Sequence, residues 1–115
     1  MIDDDEIILN AMKNMLTKEG YEVETTTDGT KVEGILENDQ IDLLITDIMM
    51  PFVSGIELLS KIKEEEKYKK LPIIIVSALD QKEVILTAFE LGAEDFIKKP
   101  VSLDEVIIRV KKAIG

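Results

Sequence analysis

The sequence predicts an α/β domain of the doubly wound (βα)5 class, in which a five-stranded parallel sheet is covered by helices on both faces. Short β-rich apolar runs alternate along the chain with longer stretches whose apolar residues recur at helical spacing. Two of these runs, residues 43–45 and 73–76, are apolar at successive positions, as expected for strands buried on both faces. A length of 115 residues with 45% hydrophobic residues fits one domain, residues 1–115, around one core.

Five apolar runs are the predicted strands, and five amphipathic stretches are the predicted helices. The strands are expected at residues 1–2, 21–25, 42–46, 72–76 and 95–97. The helices are expected near residues 6–18, 30–37, 56–66, 81–91 and 103–113. The two kinds of element alternate without a break, which is the order that βα units require.

Capping residues and glycines mark the helix boundaries. Ser54, Asp80 and Ser102 each precede a glutamate by three residues, which is the spacing of a capping box at a helix N-terminus. Gly20 and Gly92 follow the first and fourth predicted helices, where a residue with positive φ commonly ends a helix.

The composition excludes several classes of function. Acidic residues outnumber basic ones 24 to 14, so the chain has no basic surface with which to bind DNA or RNA directly. It has neither cysteine nor histidine, which excludes disulfides, thiolate chemistry, Cys/His zinc sites and Ser-His-Asp triads, and leaves oxygen atoms to hold any metal. Because it shows neither an apolar run long enough to span a membrane nor a signal peptide, a cytoplasmic domain is expected.

Chemically active side chains follow four of the five predicted strands. They are the acids at residues 3–6 after the first strand, Asp47 after the third, Ser77 after the fourth and Lys99 after the fifth. Ligands of open α/β sheets bind at the carboxyl ends of the strands, so we expect these side chains to converge.

The acids of this set suggest phosphoryl chemistry with a divalent cation. Clustered carboxylates repel one another unless a cation neutralises them, and oxygen ligands favour Mg²⁺ or Mn²⁺. A carboxylate beside such an ion is a nucleophile for a phosphoryl group, and Asp47, central in the sheet, is the candidate. Asp3 and Asp4 are assigned to this site, whereas Asp5 and Glu6 are interpreted as the N-cap and first-turn acids of the first helix.

Four motifs, in this order and at these intervals, resemble the receiver domain of bacterial two-component response regulators. They are the acidic run 3–6, the segment Thr-Asp-Ile-Met-Met-Pro at residues 46–51 with Gly55 behind it, Ser77-Ala78, and Lys99-Pro100. The resemblance covers nearly the whole chain. It implies the flavodoxin-like or CheY-like topology, in which the strand order is 2-1-3-4-5.

The resemblance also implies a function for the strand-end residues. Asp47 would accept a phosphoryl group from a phosphohistidine on a sensor histidine kinase or a histidine phosphotransfer protein. Mg²⁺ would be held by Asp4 and Asp47, by Asp3 directly or through water, and by the backbone carbonyl of Met49. Lys99 would pair with the phosphoryl oxygens.

The same resemblance implies a conformational switch. Ser77 would hydrogen-bond the phosphoryl group, and the ring of Phe96 would turn toward the core as the loop after the fourth strand moves inward. The surface formed by the fourth helix, fifth strand and fifth helix would then change shape for an output domain or a target protein. Such a domain is a signalling switch that catalyses only its own phosphotransfer and dephosphorylation.

Two features depart from the usual family pattern. Only Met1 and Ile2 precede Asp3, although the first strand is central in the family sheet. Either the sequence starts within that strand or the strand is unusually short, and a short strand curtails the ladders of both neighbours. Met49 and Leu79 occupy positions that modulate the access of water in the family, and since both are apolar, slow self-dephosphorylation is expected.

One charge pair has two interpretations. Asp95 and Arg109 match a pair that receivers fused to winged-helix DNA-binding domains use in dimers, although Ile85 stands where a basic residue is common. We interpret the pair as an ordinary surface ion pair, worth under ~1 kcal/mol.

Rival functions are less consistent with the sequence. A phosphatase with an aspartyl-phosphate intermediate would need an acid two residues after Asp47, where Met49 stands. A non-phosphorylated receiver-like interaction module is the main alternative, but such modules usually lack one or more of the strand-end residues. Gly29 and Gly34 have the spacing of a nucleotide-binding loop without its Lys-Ser/Thr, so we discard nucleotide binding.

Overall fold

The computed structural model describes residues 1–50, 53–79 and 81–115. Its five α-helices are α1 Glu6–Lys18, α2 Val32–Asn38, α3 Gly55–Lys63, α4 Lys82–Glu90 and α5 Leu103–Ile114. Its three strands are β1 Leu44–Thr46, β2 Ile73–Ser77 and β3 Asp95–Lys98. Two short 3₁₀ helices, Gly29–Lys31 and Glu66–Tyr68, lie in the connections.

The three strands form a parallel sheet in the order β1-β2-β3. Ile45 is paired with Ile74, and Ile75 is paired with Phe96. Each crossover carries a helix, α3 between β1 and β2 and α4 between β2 and β3, as parallel neighbours require. The predicted α/β class and the five predicted helices are confirmed.

The predicted number of five strands is wrong for the part of the chain that the structure describes. The first two predicted strands are reduced to isolated parallel bridges, from Ile2 to Thr26 on one side and from Ile2 to Thr46 on the other. These bridges keep the spatial order 2-1-3-4-5. The physical reason is the length of the first segment: with two residues before the acidic run, it cannot form a ladder with residues 21–25.

The two faces of the sheet are covered by different helices. Ile73 and Ile75 are buried in a cluster with side chains of α2, α3 and α4. Ile74 and Val76 are buried in a second cluster, with side chains of α1 and α5. The alternation along β2 is that of a strand covered on both faces, as the successive apolar positions predicted.

Helix caps follow the sequence signals at most ends. The side chain of Asp5 accepts hydrogen bonds from the N–H groups of Ile7 and Ile8, and the hydroxyls of Ser54 and Ser102 accept from the third residue beyond each. Asp80 lies outside the described residues, and Gln81 stands at the N-cap position of α4 without a side-chain cap. No helix in the described parts of the chain is long and apolar enough to cross a membrane.

Candidate functional site

The parallel sheet brings the predicted site residues to one edge. Asp3 follows the bridged residue Ile2, Asp47 follows β1, Ser77 is the last residue of β2 and Lys99 follows β3. In a parallel sheet the carboxyl ends of neighbouring strands lie at the same edge, which is why residues up to 96 positions apart meet.

Three carboxylates lie together at this edge. One oxygen each from Asp3, Asp4 and Asp47 lies within 4.8 Å of the other two. Asp3 and Asp47 are buried, with 4% and 6% exposure, whereas Asp4 is exposed. Burying ionised carboxylates is costly unless opposite charge or hydrogen bonds compensate, so the arrangement requires cationic partners.

The Lys99 ammonium is the cation that the chain itself supplies. Its Nζ donates to Asp3 Oδ2 at 2.7 Å and to Asp47 Oδ2 at 2.8 Å. Burial alone would lower the pKa of Lys99, but the hydrogen bonds and negative charges of the two aspartates outweigh it and hold that pKa above its ordinary 10.5. Lys99 is therefore charged at neutral pH, and it offsets part of the negative charge of the cluster.

Backbone groups hold the other oxygen of Asp47. Its Oδ1 accepts from the N–H of Ile48 at 2.6 Å and from the N–H of Met49 at 3.4 Å. The Thr46 hydroxyl donates to the Asp47 carbonyl at 2.9 Å, which holds the backbone of Asp47 against the last residue of β1. The carboxylate is thus oriented by bonds to both of its oxygens.

Gly55 lets helix α3 pack directly under the Asp47 loop. Its N–H donates to the Ile48 carbonyl at 2.8 Å, and a Cβ at this position would collide with the carbonyl of Asp47. The glycine of the motif is therefore required by a close approach of backbone to backbone.

The acidic run at residues 3–6 divides into two parts. Asp3 and Asp4 belong to the carboxylate cluster, whereas Asp5 caps α1 and Glu6 is exposed in its first turn. The two parts are also connected, since the Asp5 N–H donates to Asp3 Oδ1 at 2.9 Å. This bond directs the second Asp3 oxygen toward Lys99.

Ser77 and Phe96 lie in neighbouring strands behind the carboxylates. Ser77 is 1% exposed, and its hydroxyl accepts from the Leu79 N–H at 3.1 Å. Its carbonyl accepts from the Lys99 N–H at 2.9 Å, so the ends of β2 and β3 are joined next to the cluster. The Phe96 ring is half-buried against the α2–α3–α4 side of the core.

Two contacts of the site were not predicted from the sequence. One is the hydrogen bond of Thr46, for which a hydroxyl residue at the end of a buried apolar run was the available signal. The other is Gly29, which packs against Val53, where a Cβ would come within 2.6 Å of the Val53 side chain. The predicted metal contact of the Met49 carbonyl stays a prediction.

The Asp95–Arg109 pair is formed within the chain. Arg109 Nη1 lies 3.1 Å from Asp95 Oδ1 and 2.9 Å from Asp95 Oδ2. The Arg109 side chain is 37% exposed, and the pair joins β3 to α5. This geometry is that of an ordinary ion pair between neighbouring elements.

The family model for the response regulator receiver domain matches residues 1–111. The response regulator SaeR of Staphylococcus aureus (strain USA300) is 34% identical over 114 residues, which cover 99% of this chain and 49% of SaeR. The chain therefore spans about half the length of the curated relatives it matches.

Solved structures of receiver domains are also similar to this chain. A CheY-like receiver domain protein from Methanospirillum hungatei JF-1 superimposes with a TM-score of 0.91 at 30% identity, covering 98% of this chain and 89% of that one. The non-phosphorylated HemR receiver domain from Leptospira biflexa gives a TM-score of 0.90 at 32% identity, with 99% and 90% covered. The likeness thus extends over nearly the whole of this chain.

Proposed function

This chain belongs to the response regulator receiver domain family, whose function is to accept a phosphoryl group, and from this premise we propose that Asp47 is the acceptor residue. One observation supports the assignment above the others. Asp47 is a buried carboxylate held between the Lys99 ammonium and two backbone N–H groups, and it stands in the carboxylate cluster. Such a carboxylate is oriented and lies next to a positive charge, as a nucleophile for phosphorus must be.

The donor set fits a hard divalent cation. Carboxylate oxygens of Asp3, Asp4 and Asp47 lie close enough to share one ion, and oxygen ligands are those that Mg²⁺ prefers, with Mn²⁺ as an alternative. We propose that these three residues and the Met49 carbonyl hold it. When bound, the ion would neutralise negative charge on the carboxylates and on the incoming phosphoryl group.

The proposed reaction transfers one phosphoryl group between two proteins. An oxygen of the Asp47 carboxylate attacks the phosphorus of a phosphohistidine, a new phosphorus–oxygen bond forms, and the phosphorus–nitrogen bond breaks with its electron pair left on the imidazole. These 115 residues contain no histidine, so the donor histidine lies outside them, and we propose a sensor histidine kinase or a histidine phosphotransfer protein as the donor. Lys99 offsets the charge on the phosphoryl oxygens throughout.

The product acyl phosphate would act through Ser77 and Phe96. The Ser77 hydroxyl lies at the carboxyl end of β2, next to β1 and its following residue Asp47, which favours a hydrogen bond to the phosphoryl group. If the segment that follows Ser77 shifted on forming this bond, the space available to the half-buried ring of Phe96 would change. The surface formed by α4, β3 and α5 would then change as well. We propose this surface as the contact for an output domain or a target protein.

The alternative is a receiver-like interaction module that is never phosphorylated. The arrangement disfavours it, because a module that only binds has no need of three clustered carboxylates with a lysine across two of them. A phosphatase is also disfavoured, since Met49 occupies the place where its second acid would stand.

Intact-mass spectrometry with a small-molecule phosphodonor such as acetyl phosphate tests the proposal. In Mg²⁺ the wild type should gain one phosphoryl group, which hydroxylamine removes as expected for an acyl phosphate. Asp47→Asn should gain none, EDTA should suppress the gain, and Asp42→Asn, which changes an exposed acid outside the cluster, should behave as wild type. Absence of the adduct in the wild type, with no Mg²⁺ binding by titration, would favour the interaction module.

A further inference from the structure

Met49 is the most exposed of the five methionines, all of which lie among the described residues. It is 64% exposed, whereas Met12 is 2% exposed and Met1, Met15 and Met50 are half-buried. An oxidant that arrives from solvent therefore meets the sulfur of Met49 first. Oxidation of methionine to its sulfoxide is reversible by dedicated reductases, so it can act as a switch where the sulfur lies next to a reactive group.

The backbone places this side chain beside the proposed acceptor. The Met49 N–H donates to Asp47 Oδ1 at 3.4 Å. Ile48, the residue between them, is 6% exposed, so of these two residues only Met49 extends its side chain into solvent. The Met49 side chain therefore lies between solvent and the carboxylate that is proposed to carry the phosphoryl group.

Met50, the next residue along the chain, packs toward the interior. The Thr46 hydroxyl lies 3.8 Å from Met50 Sδ, and the Met50 side chain contacts the core cluster on the α2–α3–α4 side. Its sulfur thus has a partner within the protein and limited access to solvent. Two adjacent methionines differ in exposure, so Met50 is an internal reference for oxidation at Met49.

Oxidation changes the hydrogen bonds that a methionine side chain can form. A hydroperoxide transfers one oxygen atom to the sulfur: the sulfur–oxygen bond forms, the oxygen–oxygen bond breaks, the sulfur loses two electrons, and H₂O₂ leaves as water. The thioether is a weak acceptor, whereas the sulfoxide is polar and its oxygen is a strong acceptor. At position 49 such an oxygen offers a hydrogen-bond partner to water that approaches the acyl phosphate.

We propose that Met49 is a reversible oxidation site, and that its sulfoxide shortens the lifetime of the phosphoryl group on Asp47. This inference rests on the proposed function of Asp47. The thioether leaves an attacking water without a partner on the Met49 side, whereas the sulfoxide accepts a hydrogen bond from it and orients it toward the phosphorus. The net effect of one hydrogen bond corresponds to roughly a 2- to 10-fold change in rate.

The first readout is the site of oxidation, which is measured without phosphorylation. The 115-residue chain is treated with H₂O₂, and peptide mapping by mass spectrometry follows the sulfoxide at each methionine. Met49 should be oxidised at least about fivefold faster than Met50 or Met12, because its sulfur is the one open to solvent. Equal rates at Met49 and Met50 would overturn the assignment of the site.

The second readout is the lifetime of the phosphorylated form. The oxidised chain is freed of peroxide with catalase, phosphorylated with acetyl phosphate and followed by intact mass in Mg²⁺ after removal of the donor. The phosphorylated form should decay at least about threefold faster than that of the untreated chain. Reduction by methionine sulfoxide reductases specific for each of the two epimers should restore the original lifetime.

Two variants assign the effect to one sulfur. In Met49→Leu, peroxide should leave the decay rate of the variant unchanged, because position 49 no longer holds a thioether. In Met15→Leu, which changes a half-buried methionine of α1, peroxide should accelerate the decay as in the wild type. Equal decay of the oxidised and untreated wild type, or an acceleration that persists in Met49→Leu, would overturn this inference alone. Absence of the phosphoryl adduct from the untreated chain would instead overturn the proposed function, and this inference with it.

Discussion

The ammonium of Lys99 donates to Asp47 Oδ2 at 2.8 Å across 52 residues of sequence, and the same Nζ lies 2.7 Å from Asp3 Oδ2. One lysine therefore holds two buried carboxylates in place. This pairing determines how the site responds when one of the three side chains is removed.

Replacing Lys99 by methionine should destabilise the protein when divalent cations are absent. Lys99→Met leaves Asp3 and Asp47 buried without their cation, and we expect the free energy of unfolding in EDTA to fall by about 2 kcal/mol or more. Mg²⁺ should raise Tm more in this variant than in the wild type, because it neutralises the same carboxylates. Urea denaturation with and without Mg²⁺ measures both effects.

Lys82→Met is the matched control for that experiment, since Lys82 is an exposed lysine in the first turn of α4. Its stability and its response to Mg²⁺ should equal those of the wild type. An unchanged free energy of unfolding for Lys99→Met in EDTA would show that the pairing contributes nothing to the fold.

Two neighbouring aspartates should differ in their effect on Mg²⁺ affinity. Asp4→Asn should weaken binding at least about tenfold, because its carboxylate belongs to the cluster. Asp5→Asn should weaken it by no more than about threefold, because Asp5 caps α1 and asparagine is an equally good cap. Isothermal titration with Mg²⁺ separates the two, and equal losses would contradict the division of the acidic run.

Gly55→Ala should destabilise the Asp47 loop through a steric collision. Its Cβ would overlap the Asp47 carbonyl, and we expect a loss of about 1–3 kcal/mol in the free energy of unfolding. Gly34→Ala is the matched control: Gly34 lies in α2 with open space around it, and alanine there should stabilise by roughly 0.5–1 kcal/mol. Similar values for both variants would mean that the close approach at Gly55 relaxes freely.

Asp28 should make a pH-dependent contribution to stability. Hydrogen bonds from the Thr30 hydroxyl and then from the Thr30 N–H lower the pKa of Asp28 below its ordinary 3.8. A lowered pKa means that the contribution is full above pH 3.8 and is lost as the pH falls through the folded-state value. The stability difference between wild type and Asp28→Asn should therefore shrink below pH 3.8, and a difference that grows there would refute the assignment.

Met49 should slow the loss of the phosphoryl group. Its side chain is 64% exposed and its N–H donates to Asp47 Oδ1, so it lies between solvent and the proposed acceptor. Met49→Asn should shorten the lifetime of the phosphorylated form several-fold by giving water a hydrogen-bonding partner there. The measurement is the decay of the phosphorylated mass in Mg²⁺ after removal of the donor.

The sequence predicted those parts of the structure that local patterns determine. Ile73 to Val76 indicated a doubly covered strand, and Asp5 indicated a cap, because burial on both faces and capping each depend on a few neighbouring residues. The pairing of residues 21–25 was not predictable in this way. It depends on the length of another segment, in which, among the residues that the structure describes, only Ile2 forms bridges to both of its neighbours.

Prediction of the site from the sequence was limited in the same way. The strand ends placed Asp47 and Lys99 at the same edge of the sheet, since the strands are parallel. They did not show that Lys99 would reach Asp3 as well, because this depends on side-chain conformations and on the bond from Asp5 N–H that orients Asp3. The contact of Gly29 with Val53 depends likewise on how two loops pack.

The hydrogen bond between Ser77 and Leu79 determines how far a movement of Ser77, at the carboxyl-terminal edge of the sheet, is passed on to the rest of the structure. The Ser77 hydroxyl uses a lone pair to accept from the Leu79 N–H, so it can donate its hydrogen elsewhere without releasing that bond. Any new acceptor that draws the hydroxyl forward would therefore draw the backbone at residue 79 with it. The Leu79 side chain packs against the hydrophobic core. A displacement of Ser77 would therefore move side chains of the core in the same step, while the hydrogen bond to residue 79 stays formed.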